Sequence, residues 1–450
     1  MRVSIIGTGY VGLTTALALA YIGNEVHCID QNPRVLESLT DGRVPIHEPG
    51  IEDLMAMNLS LTFGEWDSFD PASDVVFIAV GTPRKDNGDA DLTYVEAVAD
   101  EIGRRIDEKQ ALTVAVKSTV PLGTARRVEA ILINHFRERG LATRFSVASN
   151  PEFLREGAAL YDTFYPDRIV VGANESFAVN TLRELYTPIL EQTFTPPAGI
   201  PRPQGDKLPV FLTTTPTSAE LTKYAANAFL AMKISFVNEF AGLAEYVGAD
   251  ITEVARGIGL DDRIGLRYLA AGAGWGGSCF GKDVSAIRHT AAQYGYDMYL
   301  VEAAVQANLR QHESIVKKLQ ARLKVLRGTT IGLLGIAFKP NTDDVRDAPF
   351  LSVARRLLEL GATVKTHDPV AMPTCRRNHP DLDVIYCDTP EELARDCDAL
   401  ALLTEWDEFR HLDYVKLGQG MRQRIIVDGR NALNRVAIKA VGFTYVGVGR

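Results

Sequence analysis

Three glycines at fixed spacing, Gly7-Thr8-Gly9-Tyr10-Val11-Gly12, follow the apolar run Val3–Ile6 and open a helical pattern that contains Thr14–Tyr21. In a strand–turn–helix that holds a dinucleotide, each glycine has its own task. One makes a tight turn, one lets backbone approach a pyrophosphate, and one lets the helix pack closely on the strand. The helix start adds N–H groups and partial positive charge for the phosphates. A lone GxGxxG says little, but here Asp30 also stands at the end of the next apolar run, Glu25–Ile29. A carboxylate there accepts hydrogen bonds from both ribose hydroxyls and repels a 2′-phosphate, so NAD is expected over NADP; Arg34 nearby slightly weakens this. A glycine-rich turn with a solvent-facing Asp is the ordinary alternative. The regular glycines also argue against reading Arg2 and Val3–Ile22 as a secretory signal.

Further apolar runs, Val75–Val80, Thr113–Lys117 and Phe145–Ala148, alternate with helical patterns at Asp91–Arg105 and Thr124–Arg139. Strands alternating with helices mean βαβ units and a parallel sheet. The turns Val80-Gly81-Thr82-Pro83 and Lys117-Ser118-Thr119-Val120-Pro121 then fall at the carboxyl edge of that sheet, where ligands bind. Six prolines within Pro196–Pro216 predict a loop or linker. Beyond it a helical run extends to about Val247, with Thr217 and Glu220 at capping-box spacing and Gly248 at its end. Such a helix is on the order of 45 Å long. A second long helix is expected over about Leu300–Leu326. After Gly328, alternation resumes with strands at Thr330–Leu334, Thr363–Thr366, Ala399–Leu403 and Ile425–Val427.

The expected fold is therefore α/β: two Rossmann-like, doubly wound domains joined by a central helical domain with a long helix. The boundaries are 1–205, 206–325 and 326–450, consistent with a chain of 450 residues. With 48 Lys+Arg against 57 Asp+Glu, the net charge of −9 argues against nucleic acid or an anionic membrane as partner. No window approaches the roughly 20 apolar residues of a membrane span. Five dispersed cysteines without CxxC spacing exclude a disulfide framework or zinc ribbon and suit the cytoplasm; no metal site is expected.

The densest chemical signal is Gly274-Trp275-Gly276-Gly277-Ser278-Cys279-Phe280-Gly281-Lys282-Asp283. Closely spaced glycines free backbone N–H groups to approach a ligand and let one side chain protrude. Lys282 and the helical pattern that follows both favour the nucleophilic thiolate of Cys279. A buried structural cysteine is the alternative. On the long helix, Lys223 and Asn227 share a face one turn apart among apolar neighbours. Aimed together at a developing oxyanion they would give electrostatic catalysis; a solvated surface lysine fits the same pattern.

With these motifs in order, the chain resembles the nucleotide-sugar 6-dehydrogenases over nearly its whole length. The resemblance rests on Gly7–Gly12 with Asp30, Ile46–Gly50, Val80–Pro83, Ser118–Pro121, Asn150–Gly157, Ser218–Tyr224, Arg263–Gly265, the Cys279 loop, Phe338–Pro340 and Thr342–Arg346. It implies an NAD-dependent four-electron oxidation of the sugar C6 alcohol to a carboxylate, with UDP-glucose the first expectation as substrate. By the same resemblance Cys279 traps the C6 aldehyde as a thiohemiacetal that becomes a thioester. Lys223 and Asn227 stabilise oxyanions, Asp283 positions or activates water, and Glu152 with Thr119 moves protons through a water.

NAD is expected at Gly7, Gly9, Tyr10, Val11, Gly12, Asp30, Arg34, Thr82, Thr119, Glu156, Lys282 and Arg346. The nucleotide sugar is expected at Glu152, Phe153, Leu154, Arg155, Lys223, Asn227, Arg263, Tyr268, Leu269, Ala270, Ala271, Gly272, Gly276 and Lys339. Arg263 would come from a neighbouring subunit, with the long helix forming the core of a homodimer or higher homo-oligomer. The chain departs from the family at Ala273 and Gly281, where proline is common, and at Ala270, where asparagine is common; its proline-rich segment Thr195–Pro216 is longer than usual. The same chemistry on GDP-mannose or a UDP-N-acetylhexosamine, a single-hydride dehydrogenase, and a non-catalytic dinucleotide sensor are the competing readings.

Overall fold

The computed structural model describes residues 1–108, 111–205 and 207–450. The chain divides into two compact units, Met1–Ala226 with Ser285–Tyr294, and Asn227–Val284 with Gly295–Arg450.

In the first unit, β1 (Arg2–Ile6), β2 (Glu25–Ile29), β3 (Leu61–Gly64), β4 (Val75–Ile78), β5 (Ala111–Val116), β6 (Arg144–Ser149), β7 (Arg168–Gly172) and β8 (Val210–Thr214) form one sheet. Its order is β3-β2-β1-β4-β5-β6-β7-β8. The pairs from β3 through β6 are parallel, whereas β7 meets β6 antiparallel. Period-two alternation explains why β4 is apolar throughout. Val75 and Phe77 join one buried cluster with Leu13, Leu17 and Leu182, while Val76 and Ile78 join another with Ile102, Val128 and Leu132. Helices thus cover both faces, and the strand order reverses between β1 and β4, where doubly wound sheets bind ligands.

The second unit carries β9 (Thr330–Leu334), β10 (Thr363–His367), β11 (Ile385–Tyr386), β12 (Ala399–Leu402), β13 (Ile425–Asp428) and β14 (Thr444–Val446). Their order, β11-β10-β9-β12-β13-β14, repeats that of the first six strands, and all pairs are parallel. The expected fold class holds: two Rossmann-like sheets, with helices in the central region.

The helix Pro216–Val247 has 32 residues and is about 48 Å long. Its start corrects the capping-box expectation. The Ser218 N–H donates to Thr215 Oγ1, so Thr215 caps the helix and not Thr217. Glu220 turns away and accepts from the Gly123 and Ala125 N–H groups at 2.6 and 2.9 Å, capping the helix Thr124–Arg139. The proline-rich segment is corrected too: it is not all linker, because its last part forms β8, paired parallel with β7. β8 itself holds no proline: Pro209 precedes it and Pro216 opens the long helix after it.

Candidate active site

Gly7 follows β1 with φ of +98°, a left-handed turn in which an added Cβ would sit 2.9 Å from the carbonyl oxygen of Ala79, just after β4. At Gly12 a Cβ would lie 1.8 Å from the Gly7 oxygen, so glycine is needed for helix Tyr10–Tyr21 to pack on the turn. Nothing lies within 4 Å of a Cβ at Gly9, the N-cap, which has no side-chain cap of its own. The space beside Gly9 is thus open, and helix starts of this kind receive a pyrophosphate.

Asp30 follows β2 directly and is half-buried. Its Oδ2 accepts from the Thr8 N–H at 2.9 Å and hydroxyl at 2.6 Å, and its Oδ1 from the Asn32 N–H at 2.9 Å. A carboxylate has about four acceptor sites, so capacity remains for a ribose hydroxyl. Arg34 is exposed, with its N–H on Asn32 Oδ1. The turns after β4 and β5 are tied together: Thr82 Oγ1 donates to the Thr119 carbonyl at 2.8 Å, and Ser118 Oγ to the Val80 carbonyl at 2.6 Å. Tyr10 donates its hydroxyl to the His47 carbonyl, and the Val11 carbonyl accepts from Thr15 Oγ1. These features fit NAD in the first unit.

After β6 the segment Asn150–Gly157 carries Glu152, whose Oε1 lies 2.9 Å from Lys223 Nζ, with both side chains nearly inaccessible. Its Oε2 accepts from the Leu154 N–H, which fixes the carboxylate by a local turn. The Phe153 ring lies between Arg168, 3.8 Å from its centroid, and Lys223, 5.5 Å away. Arg155 is exposed and forks onto Asp162, so its charge is already balanced locally. Glu156 is buried.

In the second unit, Cys279 immediately precedes the helix Phe280–Gln293, and its carbonyl accepts from the Asp283 N–H. Its sulfur thus stands at a helix N-terminus, where the helix field favours an anion. Cys28, Cys375, Cys387 and Cys397 are all buried, and burial pushes their thiols up, Cys397 to about 12. Cys279 is the half-exposed member of the five. Asp283, 1% exposed, accepts from Asn227 Nδ2 on Oδ2 and from Lys282 Nζ on Oδ1, both at 2.6 Å.

The remaining expected contacts are spread over this unit. Arg263 is exposed and pairs with Asp261, and Arg346 forks onto Asp344. Tyr268 has φ of +66°; Leu269 and Ala271 are buried and Ala270 exposed. Gly276 runs against the Asp347 carbonyl, and Lys339 Nζ lies 5.3 Å from the centre of the Phe338 ring.

Several supporting residues escaped the sequence reading. Glu48 accepts from the Gly157 and Ala159 N–H groups, fixing the end of the Glu152 segment. Asn308 and Gln311, on the helix Tyr299–Leu323, hold the Cys279 loop through Trp275 and Gly272, and Asn238 takes the Gly272 N–H. Beside them burial pushes His312 down to about 4 and keeps it neutral. Arg430 ties the carbonyls of Gly274, Phe338 and Leu403 together. The spacing 308, 311, 312 marks a polar face on an amphipathic helix, a signal available from the sequence; Arg430 had no local signal.

Two dinucleotide-type sheets, the first with a complete glycine cradle, define a dinucleotide-binding protein. Three family models match in chain order: the UDP-glucose/GDP-mannose dehydrogenase family NAD binding domain over residues 1–190, its central domain over 217–310 and its UDP binding domain over 332–435. The chain is 42% identical over 453 residues to UDP-glucose 6-dehydrogenase TuaD of Bacillus subtilis (strain 168), covering 100% of this chain and 93% of that protein. It is 44% identical over 460 residues to UDP-glucose 6-dehydrogenase of Rhizobium meliloti (strain 1021), covering 100% of both. A UDP-glucose dehydrogenase structure from the hyperthermophilic archaeon Pyrobaculum islandicum matches with a TM-score of 0.86 and 41% identity, over 100% of this chain and 97% of that one. The chain belongs to the UDP-glucose/GDP-mannose dehydrogenase family, and its cofactor is NAD. Among the described residues no helix is long and apolar enough to cross a membrane.

Proposed function

We propose that this chain oxidises the C6 alcohol of UDP-glucose to the carboxylate of UDP-glucuronate, consuming two NAD⁺ and one water and releasing two NADH and three protons. The substrate follows the relatives named for that reaction. The observation that carries the covalent chemistry is Cys279: half-exposed at a helix N-terminus, beside a buried carboxylate and a lysine, while the other cysteines are buried.

Bound NAD, held by Gly7–Gly12 with Asp30, Thr82 and Thr119, supplies the hydride acceptor for both oxidations. The side chains do the rest. Glu152 takes the C6 hydroxyl proton through a water held with Thr119. The Cys279 thiolate then adds to the aldehyde carbon: the S–C bond forms and the carbonyl π pair moves onto oxygen. The Lys223 ammonium and the Asn227 amide donate to that oxyanion, the kind of stabilisation worth about 3–4 kcal/mol per donor. Loss of the remaining C6 hydride leaves a thioester. Water adds to its carbonyl carbon while Asp283 takes the proton, and the C–S pair returns to sulfur.

Arg155, Arg263 and Lys339 would hold the diphosphate, with Arg155 released from Asp162 or acting through its backbone. The domain boundaries 1–205, 206–325 and 326–450 serve cofactor binding, catalysis and dimerisation, and nucleotide-sugar binding. Exposed Phe229, Phe236, Phe240 and Leu243 along one stripe of the long helix support a homodimer built on that helix, with Arg263 reaching the partner's site. Free thiols and NAD coupling suit the cytoplasm.

The test is the number of NADH released per sugar nucleotide, run over UDP-glucose, GDP-mannose and UDP-N-acetylhexosamines. Two per UDP-glucose is expected; one would leave a single-hydride dehydrogenase, and none a dinucleotide-binding protein.

A further inference from the structure

Lys117 follows β5 directly and is 8% exposed. Its Nζ lies 3.3 Å from Asn150 Oδ1 and 3.5 Å from Tyr186 Oη, over the rings of Phe77 and Tyr186. Tyr186 donates to the same Asn150 oxygen at 2.8 Å, and Asn150 Nδ2 donates to the Val170 carbonyl, so the amide cannot turn away. All these partners are neutral, although a buried ammonium ordinarily pairs with a carboxylate. A methionine would fill the same apolar space without that cost.

The charges that face Lys117 come from elsewhere. Glu152, from the segment after β6, attracts it, and Lys223, from the long helix, repels it. Tyr186, on the helix Ser176–Leu190, is the titratable neighbour, and burial pushes its phenol up, so it stays neutral. Phe77 of β4 and Asn150, just after β6, do not titrate. Burial also pushes the Lys117 ammonium down to about 8, the cost of retaining a charge there.

We propose that Lys117 is a positioning residue for the oxidation: its ammonium, anchored on Tyr186, holds Asn150, two residues before Glu152, and so fixes the segment that turns the Glu152 carboxylate toward Lys223. The inference rests on the roles given above to Glu152 and Lys223.

The test compares full-length Lys117→Met and Lys117→Gln with wild type, following NADH release from UDP-glucose. Met removes the donor to Asn150 whereas Gln keeps one, so kcat is expected to fall at least about tenfold in the Met variant and less in the Gln variant, with KM for NAD and UDP-glucose within about threefold. A Met variant with wild-type kcat overturns the proposal. Losses of kcat matched by losses of cofactor binding and melting temperature also overturn it, as does failure of both variants to fold, because each makes Lys117 purely architectural. Glu152→Gln and Lys223→Ala run alongside. If they keep wild-type turnover, the assignment of that pair is wrong; if they abolish turnover while the Lys117 variants match wild type, only this inference fails.

Discussion

Lys223 Nζ stands 2.9 Å from Glu152 Oε1 with the two side chains 4% and 6% exposed, an ion pair almost wholly out of water. Removing charges from water costs several kcal/mol per ion, which mutual attraction repays only in good geometry. The pair therefore holds each partner in a fixed place, as the roles proposed for Glu152 and Lys223 require.

Breaking that pair from one side strands a charge. Glu152→Leu and Lys223→Met singly are expected to cost about 3–5 kcal/mol in urea denaturation, whereas the double variant costs clearly less than their sum. Additive losses would show that the two residues do not act as a pair. Turnover is lost in all three.

Alkylation separates Cys279 from the other thiols. Under native conditions a maleimide is expected to modify one cysteine per chain, Cys279 by peptide mapping, because Cys28, Cys375, Cys387 and Cys397 are at most 1% exposed. NADH release stops in proportion to labelling. Cys279→Ala stops acid formation while calorimetry shows NAD binding within about twofold of wild type, since the thiol acts on the sugar carbon and not on the cofactor. Turnover unchanged in that variant would remove the cysteine from the mechanism.

The glycine cradle makes opposite demands at two positions. Gly12→Ala puts a methyl 1.8 Å from the Gly7 oxygen and is expected to lower the melting temperature as well as NAD affinity. Gly9→Ala meets nothing within 4 Å, so the chain folds as before, yet the methyl occupies pyrophosphate space and NAD binds at least about tenfold more weakly. Calorimetry and thermal melts read the two effects separately.

Lys117 ties stability to pH. Its ordinary value of 10.5 falls to about 8 on folding, chiefly through burial. Between those values the unfolded chain binds more protons, so this group's contribution rises with pH across that window and is a cost below it. At about 1.4 kcal/mol per pH unit, that cost is about 3 kcal/mol. Lys117→Met should be more stable than wild type near neutrality, with the advantage shrinking toward pH 10.5. An advantage independent of pH would mean that the lysine titrates normally.

Much of this architecture is legible in the sequence. The strand Glu25–Ile29 and the helix Thr124–Arg139 fall where their patterns end, because apolar runs buried on both faces and a Gly140 stop are local signals. β3, β8, β11 and β14 are short or partly exposed and leave little pattern, and β8 lies behind five prolines; β7, five residues and mostly buried, is an apolar run absent from the expected strands. Glu220 shows why capping motifs mislead, since its partners are 95 and 97 residues away. The glycine turn, Asp30 and the Cys279 loop carry their meaning in contiguous residues. Arg430, Glu48 and Asn308 act across the chain on backbone groups, and no local spacing reports that.

The two sheets share one plan. Gly7 and Gly335 both turn with φ of +98°, and each N–H donates to the last carbonyl of the neighbouring strand, Ile29 or His367. The carboxylate that follows that strand differs between them. Asp30 keeps room for a guest, whereas Asp368, wholly buried, accepts from the N–H groups of Ile336, Ala337, Val370 and Ala371 and from the Trp406 indole. A duplicated blueprint can thus be specialised by valence alone: an acid with lone pairs to spare is a receptor, and the same acid with none is a rivet.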